Sequence, residues 1–313
     1  MIKEITYPCK IDNSEQPAMF FQASGSEPRP LLVALHTWSY DHTNGFEEFF
    51  RFVRKKNWHL IFPKFRGPNW TSEACGSEYV VSDIEDAVHF MKANCRVDDE
   101  RVYLCGGSGG GYAALLMAGR RPDLWSAVSA WCPCADLVRW FREGKVIGTE
   151  YPEHIATACG GSPELSASAY REALRRSATT WLVNAVNSCT VDISTGIHDG
   201  HTGSVPVSQA VRCFNILARE DDRISEEDMD HINKNEKIPA ELLFHGEDPS
   251  FGERTIYLRR QSNRARLTLF EGGHEILFFP ACQWLERQSR SCGPDWSPVP
   301  EVMEPNGQTA LSR

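Results

Sequence analysis

A serine between glycines is the residue of this sequence best placed to do chemistry. Residues 106–110 read GGSGG, a G-x-S-x-G pattern between an apolar run and a helix-forming one. A strand that turns into a helix within two residues has room beside the serine only for residues without a Cβ. Free N–H groups and the dipole at the start of that helix favour developing negative charge. The pattern predicts that Ser108 is a nucleophile. A phosphate loop is disfavoured, since neither the P-loop lysine nor the G-x-G-x-x-G spacing is present.

The candidate base is a histidine that follows a late strand. A serine nucleophile needs a general base, which is itself oriented by a third group. Of the ten histidines, His274 ends the sequence LTLFEGGH, where two glycines would let it swing over the sheet edge toward Ser108. His274 is therefore the predicted base, and His245, in FHGED, is the alternative.

The carboxylate that orients this base is expected between the serine and the histidine in the chain. Asp199 follows the apolar run 190–195 and precedes a predicted helix, whereas Asp248 is followed only by two hairpin-like strands. The acid usually lies on a strand–loop–helix unit, so Asp199 is the predicted third member. Asp248 and Asp192 are the alternatives.

Acyl transfer also needs two N–H donors for the oxygen of the tetrahedral intermediate. The amide after the nucleophile, that of Gly109, is the first predicted donor. The second should come from the loop after the first central strand, where Trp38 is the preferred candidate and Thr37 the next. The alternative for Trp38 is a core aromatic residue whose backbone has no role.

These side chains must be positioned by a regular alternation of strands and helices. Apolar runs alternate with helical stretches through most of the chain, which predicts an α/β fold with a mainly parallel central sheet flanked by helices. The near-continuous apolar character of the runs indicates that both sheet faces are covered. The predicted strands are 31–36, 58–63, 101–105, 126–132, 190–195 and 266–270, with 2–7 and 18–22 as an antiparallel edge.

The helical stretches divide into those between strands and a longer insertion. The predicted helices between strands are 79–93, 110–120 and 207–218. Residues 136–188 contain no clear strand but several helical pieces, which predicts a helical insertion, or lid, over one end of the sheet. The expected organisation is one domain over residues 1–290 and a proline-rich tail over 291–313.

Composition excludes several functional classes. The 33 basic and 42 acidic side chains give a net charge of −9, and no block of Lys or Arg is present. Such a chain is a poor candidate for binding nucleic acid or an anionic membrane. No cofactor and no metal ion is expected, and the oligomeric state is not predicted. The first residues do not resemble a signal peptide, which predicts a cytoplasmic protein if the chain is complete, and a secreted or periplasmic one if a signal was trimmed.

The cysteines are numerous but irregularly spaced. None of the eleven forms the paired CxxC motifs of a zinc site, and Cys132-Pro-Cys134 is one residue too tight for the usual redox motif. The preferred interpretation is reduced thiols that serve as small buried apolar residues. Disulfides are expected only if the protein is secreted.

Together these motifs resemble those of the α/β-hydrolase superfamily. The strand followed by GGSGGGYAALLMA, a GxxD followed by VPxSQ, and the late GGH are similar to the prolyl-oligopeptidase-like and acyl-carbohydrate esterase branch. The likeness covers roughly residues 31–285 and is especially strong over 82–128. It implies the α/β-hydrolase fold and a Ser-His-Asp triad. Two departures are His36-Thr37 in place of the usual His-Gly and an insertion at residues 200–204.

The predicted reaction is hydrolysis of a carboxylic ester through an acyl-enzyme. The expected substrate is a small-molecule or glycan ester that carries an acetyl or feruloyl group, because aromatic and polar residues should meet above the sheet, where open α/β folds bind ligands. The predicted substrate-binding residues are Arg66, Asn69, Trp70 and His201, and Trp38, Trp131 and His198 are placed on the same set of loops.

Two alternatives stay open. The first is a peptidase of the prolyl-oligopeptidase type, with Arg66 or Glu73 as the anchor of a peptide terminus. The second is a non-catalytic hydrolase fold used for binding. A complete Ser, Asp and His set disfavours the second, since an inactive relative usually loses one member.

Overall fold

The computed structural model describes residues 1–298, whose strands form one sheet. The strands are β1 (Lys3–Pro8), β2 (Glu15–Phe21), β3 (Arg29–Leu35), β4 (His59–Pro63), β5 (Val97–Gly107), β6 (Ala127–Trp131), β7 (Thr190–Gly196), β8 (Ile256–Ser262) and β9 (Ala265–Phe270). Their order across the sheet is β1-β2-β4-β3-β5-β6-β7-β9-β8. The pairs from β4 to β9 are parallel, and β1, β2 and β8 pair antiparallel at the two edges. The predicted fold class is confirmed.

Helices cover both faces of this sheet. They are α1 (Glu47–Lys56), α2 (Glu78–Asn94), α3 (Gly109–Arg120), α4 (Leu137–Ile147), α5 (Tyr151–Cys159), α6 (Ala167–Arg176), α7 (Ala178–Trp181), α8 (Val207–Leu217), α9 (Glu226–Asn235) and α10 (Phe278–Glu286). The strands β4, β6 and β7 are buried along their whole length, because helices pack on both of their sides. This is why they read as continuous apolar runs in the sequence.

Helix α9 lies outside the predicted set, and so does the pair α1 and α10. They pack together on one face of the sheet, where the rings of Phe49 and Phe278 meet edge to face with centroids 4.8 Å apart. The apolar residues of α10 surround the helix and include Pro280, so the segment shows no amphipathic period. Only its burial between the sheet and α1 makes a helix there favourable.

The segment between β6 and β7 is helical, and part of it packs against the loop after β3. It contains α4 to α7. The rings of Trp140 and Tyr151 stack at 4.5 Å, and Trp140 meets the ring of Trp38 edge to face at 4.8 Å. Aromatic pairs of this kind add stability beyond the apolar area that they bury. The domain boundaries stay predictions, and so does the function of the 136–188 insertion as a lid.

The C-terminal part of the described chain packs back onto the sheet. The rings of Trp284 and Trp296 stack 5.5 Å apart, the Arg266 guanidinium lies against both, and Arg287 forms an ion pair with Asp295 at 2.6 Å. Residues 291–298 of the predicted tail are therefore ordered against the domain. The rest of that tail, 299–313, lies outside the described residues.

Within residues 1–298 no two cysteines are bonded. Ten of them are buried and Cys292 is exposed, which is the arrangement expected of thiols used as small apolar residues. None of the helices in this part of the chain has both the length and the apolar character needed to cross a bilayer.

Candidate active site

Ser108 occupies the turn between β5 and α3, in a backbone conformation that side chains rarely adopt. Its φ is 56° and its ψ is −120°, and the residue is the N-cap of α3. The turn is so tight that a Cβ on Gly106 would lie 2.5 Å from the backbone of Gly110. A Cβ on Gly110 would in turn lie 2.5 Å from the carbonyl oxygen of Leu35. Both positions need glycine because backbone fills the space of a side chain.

A chain of two hydrogen bonds joins Ser108, His274 and Asp199. The Nε2 atom of His274 lies 2.8 Å from Oγ of Ser108, and its Nδ1 atom lies 2.8 Å from Oδ2 of Asp199. Asp199 is buried, whereas the His274 side chain keeps 12% of its surface exposed. With Nδ1–H directed at the carboxylate, Nε2 is free to accept the serine proton.

Asp199 is held in place by its own loop. The N–H groups of Gly200 and Val205 donate to its Oδ1 atom at 2.9 and 3.2 Å, and the hydroxyl of Thr195 donates to Oδ2 at 3.4 Å. These bonds stabilise the ionised carboxylate inside the protein. They also leave Oδ2 directed at the His274 ring.

The loop of His274 is attached to the loop of Asp199. The backbone N–H of His198 donates to the carbonyl of Gly272 at 3.0 Å, and the His198 ring lies 3.0 Å from Glu271 Oε1 and 2.6 Å from Glu236 Oε2. These carboxylates, that of Glu236 first, raise the pKa of His198 above its ordinary value against the opposing effect of burial. His198 in the Asp199 loop and Glu271 in the His274 loop thus form an ionic link between the two loops.

Two opposing effects set the pKa of His274. Burial of the ring is the larger single effect and lowers the pKa, but the charge and hydrogen bond of Asp199 together with contacts to Cys132 outweigh it. The net result is a pKa well above the ordinary histidine value. His274 therefore binds a proton more readily than a free histidine, as a general base next to a carboxylate should.

The alternative acids are paired with arginines, and the alternative base lies away from the triad on the surface. Asp248 forms a buried ion pair with Arg259 at 2.8 Å, and Asp192 forms one with Arg266 at 2.7 Å. His245 is exposed in the segment before β8. Both buried carboxylates are therefore explained by their arginine partners, which neutralise their charge inside the fold.

The two predicted N–H donors lie side by side. A Cβ on Gly109 would be 2.5 Å from both the nitrogen and the Cα of Trp38, so the loop after β3 rests on the first residue of α3. Within residues 1–298 neither N–H has a backbone acceptor. The Trp38 side chain is buried against Tyr112, Trp140 and Tyr151. The Trp38 ring is a core aromatic, and the role of its backbone N–H as an oxyanion donor stays a prediction.

Ser108 and His274 open onto a cavity of about 890 Å³. Three segments supply the rest of its wall, which are the loop after β3, the loop after Asp199 and the segment before α5. The side chains that bear on recognition are Tyr40, Glu150, Tyr151, His201 and Glu275. Glu275 forms an ion pair with Arg254 at 2.8 Å. Among the described residues no lysine or arginine lines this wall, so the exposed carboxylate of Glu150 has no neighbouring cation in the wall.

The predicted substrate-binding residues fall into two groups. His201 lines the cavity, with its ring 2.7 Å from the carbonyl oxygen of Asn233. The other three are not part of the cavity wall. Arg66 binds the carboxylates of Asp83 and Asp12, each at 2.8 Å.

The remaining two lie in the same loop as Arg66. Asn69 is buried, and both its backbone and its side-chain N–H groups donate to the carbonyl of Trp38, at 2.9 and 3.3 Å. It therefore holds the loop that carries one candidate donor. Trp70 is 37% exposed and packs on the ring of His154.

Several residues at the site are absent from the sequence prediction, Tyr40 and Glu275 among them. Glu150 and Tyr151 reach the cavity from the N-terminus of α5, and no local pattern indicates which helical turn faces the nucleophile. Cys132 follows β6 with φ 46° and lies against the triad, where burial raises the pKa of its thiol. Its position at the end of the predicted central strand 126–132 was a usable signal, because side chains at the carboxyl ends of parallel strands meet above the sheet.

A sequence profile of the prolyl oligopeptidase family matches residues 64–237, more than half of the chain. The chain belongs to the prolyl oligopeptidase family. It is thus a serine hydrolase, and the predicted resemblance to this family is confirmed; an acyl-carbohydrate esterase relationship stays a prediction. A comparison with curated proteins found no match.

Solved structures of the same fold include several peptidases. Acylaminoacyl peptidase of Pyrococcus horikoshii superposes with a TM-score of 0.56 at 14% identity, over 69% of this chain and 34% of that one. Oligopeptidase B from Leishmania major gives 0.57 at 13% identity, over 91% and 35%. A puromycin-hydrolyzing peptidase of Mycobacterium tuberculosis gives 0.53 at 17% identity, over 69% and 34%. The chain spans about a third of the length of these structures.

Proposed function

We propose that this protein is a serine peptidase that cleaves short peptides through an acyl-enzyme on Ser108. The observation that carries the proposal is the Ser108–His274–Asp199 hydrogen-bond chain at the edge of an open cavity, in a chain of the prolyl oligopeptidase family. The proposal replaces ester hydrolysis as the leading reaction, because the family and the solved structures of its fold are peptidases.

Each step of the reaction has a residue in reach. His274 Nε2 takes the proton from Ser108 Oγ as the oxygen attacks the peptide carbonyl, and later gives it to the departing amine. The buried Asp199 carboxylate stabilises the imidazolium formed in between. The N–H groups of Gly109 and Trp38 are the proposed donors to the oxyanion, where one donor is typically worth ~10²–10³-fold in rate. Water then attacks the acyl-enzyme while His274 takes its proton, and His274 returns that proton to Ser108 Oγ as the acid product leaves.

The burial of two tryptophans weakens the case for a sugar substrate. Trp131 is fully buried against Phe251 and Phe270, and the Trp38 ring is 2% exposed, so neither presents a face to a sugar ring. The cavity instead has the exposed carboxylate of Glu150 and no neutralising cation in its described wall. A substrate with a free amine, at its N-terminus or in a side chain, complements that charge.

The test compares amide and ester substrates on one preparation. Aminoacyl and dipeptidyl coumarin amides, with free or acetylated amino groups, are assayed beside acetylated and feruloylated glycans, with Ser108→Ala as the blank. The expected result is turnover of free-amine amides. Glu150→Gln should raise KM for these about tenfold, which corresponds to one lost charge-assisted hydrogen bond.

Matched controls make the result specific. Glu153→Gln removes a neighbouring exposed carboxylate that is not part of the cavity wall, and it should leave KM unchanged. The acetylated amides should be insensitive to Glu150→Gln, because they carry no charge. Turnover confined to the glycan esters would reject the peptidase proposal in favour of an esterase.

A further inference from the structure

Cys132 lies directly behind the catalytic histidine although the proposed mechanism does not use it. It is the first residue after β6, is fully buried and has φ 46°, a strained conformation for a residue with a side chain. Its thiol donates to the carbonyl oxygen of Glu275 at 3.1 Å, one residue beyond His274. The strand end and the strained backbone thus hold a sulfur atom in the narrow space below the triad.

This thiol completes a group of three metal-binding side chains. One donor atom from each of Cys132, Asp199 and His274 lies within 4.8 Å of the other two. It is the one group of this kind among residues 1–298. Zinc bonds of about 2.3 Å to sulfur and about 2.0–2.2 Å to nitrogen and oxygen place tetrahedral donors roughly 3.3–3.7 Å apart. The three side chains therefore need to move by no more than about 1 Å each to surround one ion.

We propose that Cys132, His274 and Asp199 form an inhibitory site for a thiophilic divalent cation such as Zn²⁺. A thiolate, an imidazole and a carboxylate are the donor set that zinc and cadmium take, whereas Mg²⁺ and Ca²⁺ prefer oxygen donors. The cation is not a cofactor of the reaction. Its binding and catalysis are mutually exclusive, because they use the same two side chains.

Binding changes the proton positions without any redox step. The thiol proton of Cys132 passes to solvent as the sulfur bonds to the cation. The lone pair of His274 Nδ1 also bonds to the cation, so the proton that Nδ1 carried moves to Nε2. A protonated Nε2 can no longer accept the proton of Ser108, and the serine loses its base.

The cation has a route to these donors. His274 lines the cavity of about 890 Å³ and is the exposed member of the group. The exposed carboxylate of Glu150 on the cavity wall raises the local concentration of cations. A chelator should therefore leave the hydrolase active or activate it.

The test uses a Cys292→Ser background, because Cys292 is the exposed thiol of the described chain and would itself bind soft metals. Cd²⁺ is titrated into the protein while the ultraviolet cadmium–thiolate band is recorded. Zn²⁺ inhibition of p-nitrophenyl acetate hydrolysis is measured in parallel, relative to the metal-free rate of each variant. Mg²⁺ is the control ion. X-ray absorption at the zinc edge then counts the sulfur ligands.

The variants are Cys132→Ser and Cys132→Ala, with Cys134→Ser as the matched control, since Cys134 is equally buried but outside the group. We expect one bound Cd²⁺ per chain with a thiolate band that both Cys132 variants lose and Cys134→Ser keeps. The Zn²⁺ concentration for half inhibition should rise at least ~10-fold in the Cys132 variants. The zinc edge should show one sulfur ligand.

Two results would overturn the site. The first is equal Zn²⁺ inhibition with and without the Cys132 sulfur. The second is zinc bound to the parent protein without any sulfur ligand, which needs no variant and so does not depend on how the Cys132 variants fold. Because the cadmium band and the zinc edge do not require turnover, failure of the peptidase proposal would leave this test intact.

Discussion

A methyl group on Gly109 would lie 2.5 Å from the backbone nitrogen of Trp38. The approach is this close because the loop after β3 rests on the first turn of α3, and Asn69 fixes that loop through the carbonyl of Trp38. Two N–H groups from distant parts of the chain therefore lie together beside Ser108. Glycine at position 109 is required by this contact.

Gly109→Ala should consequently separate the two donors. We expect kcat to fall at least ~10²-fold, the loss typical of one oxyanion donor, because the added Cβ must displace the Trp38 peptide. Circular dichroism and thermal melting check that the variant is folded. Gly293→Ala is the matched control, since a Cβ there meets no atom within 4 Å. A folded Gly109→Ala with the parental kcat would exclude the proposed donor pair.

Ser108→Ala should abolish hydrolysis and leave the fold intact. The hydroxyl carries the chemistry, and its removal deletes one small polar atom, so kcat should fall at least ~10³-fold with Tm within a few degrees of the parent. The measurement is steady-state hydrolysis of a coumarin amide, together with labelling by a fluorophosphonate. Residual labelling of the variant would mean that another residue is the nucleophile.

Substitutions of Asp199 and Asp248 should distinguish a catalytic carboxylate from a structural one. Asp199→Asn allows the wrong tautomer of His274, and we expect kcat to fall at least ~10²-fold. Asp248→Asn removes one partner of a buried ion pair with Arg259 and should cost kcat under ~10-fold, but it should lower the free energy of unfolding by about 3 kcal/mol. Both variants are measured for kcat and for stability to urea. If the assignment holds, Asp199→Asn has the larger loss of kcat and Asp248→Asn the larger loss of stability.

The success of sequence analysis at this site depends on how local each feature is. The elbow at Ser108 is encoded within five residues, so strand, turn and helix were all predictable. The choice of Asp199 over Asp248 followed from the type of element after each residue, and the structure gives Asp248 its own partner, Arg259. The prediction of Gly109 and Trp38 as a pair of N–H donors rested on the fold class alone.

The residues that sequence analysis misplaced depend on contacts between distant segments. Arg66 was predicted to bind substrate, but its partners Asp12 and Asp83 lie 54 and 17 residues away in the chain. The cavity residue Glu150 comes from a helical insertion whose docking is decided by aromatic packing around Trp38. The sequence pattern of the insertion does not predict that contact.

The pH dependence of kcat/KM should reflect the raised pKa of His274. A general base must be neutral to act, so activity rises as pH increases through this pKa, and the acid limb should lie above the ordinary histidine value of ~6.5. In Asp199→Asn the charge that raises the pKa is gone, so the limb should move to lower pH. A limb at the same pH in both proteins would mean that His274 is not the titrating base.

The ionic link from His198 to Glu271 and Glu236 predicts a pH-dependent stabilisation of the two triad loops. The raised pKa of His198 means that the folded state binds its proton more tightly than the unfolded state does. The stabilisation is therefore fully present below the ordinary histidine pKa and disappears as pH rises through the raised value. His198→Gln should lower Tm by a few degrees at pH 5–6 and by progressively less at higher pH, since the pair is about one-third exposed.

The same variant should separate loop positioning from substrate binding. Because the His198 ring contacts Glu236 and Glu271 and is not itself part of the cavity wall, His198→Gln should lower kcat about three- to tenfold while KM changes little. Combining it with Glu271→Gln should add little further, since both changes break the same His198–Glu271 contact and a glutamine oxygen can still accept from Tyr257. His231→Gln is the matched control, because His231 is exposed and contacts only Asn235 among the described residues. A pH-independent loss of Tm, or fully additive losses of kcat, would show that the ring fills space without linking the Asp199 and His274 loops by charge.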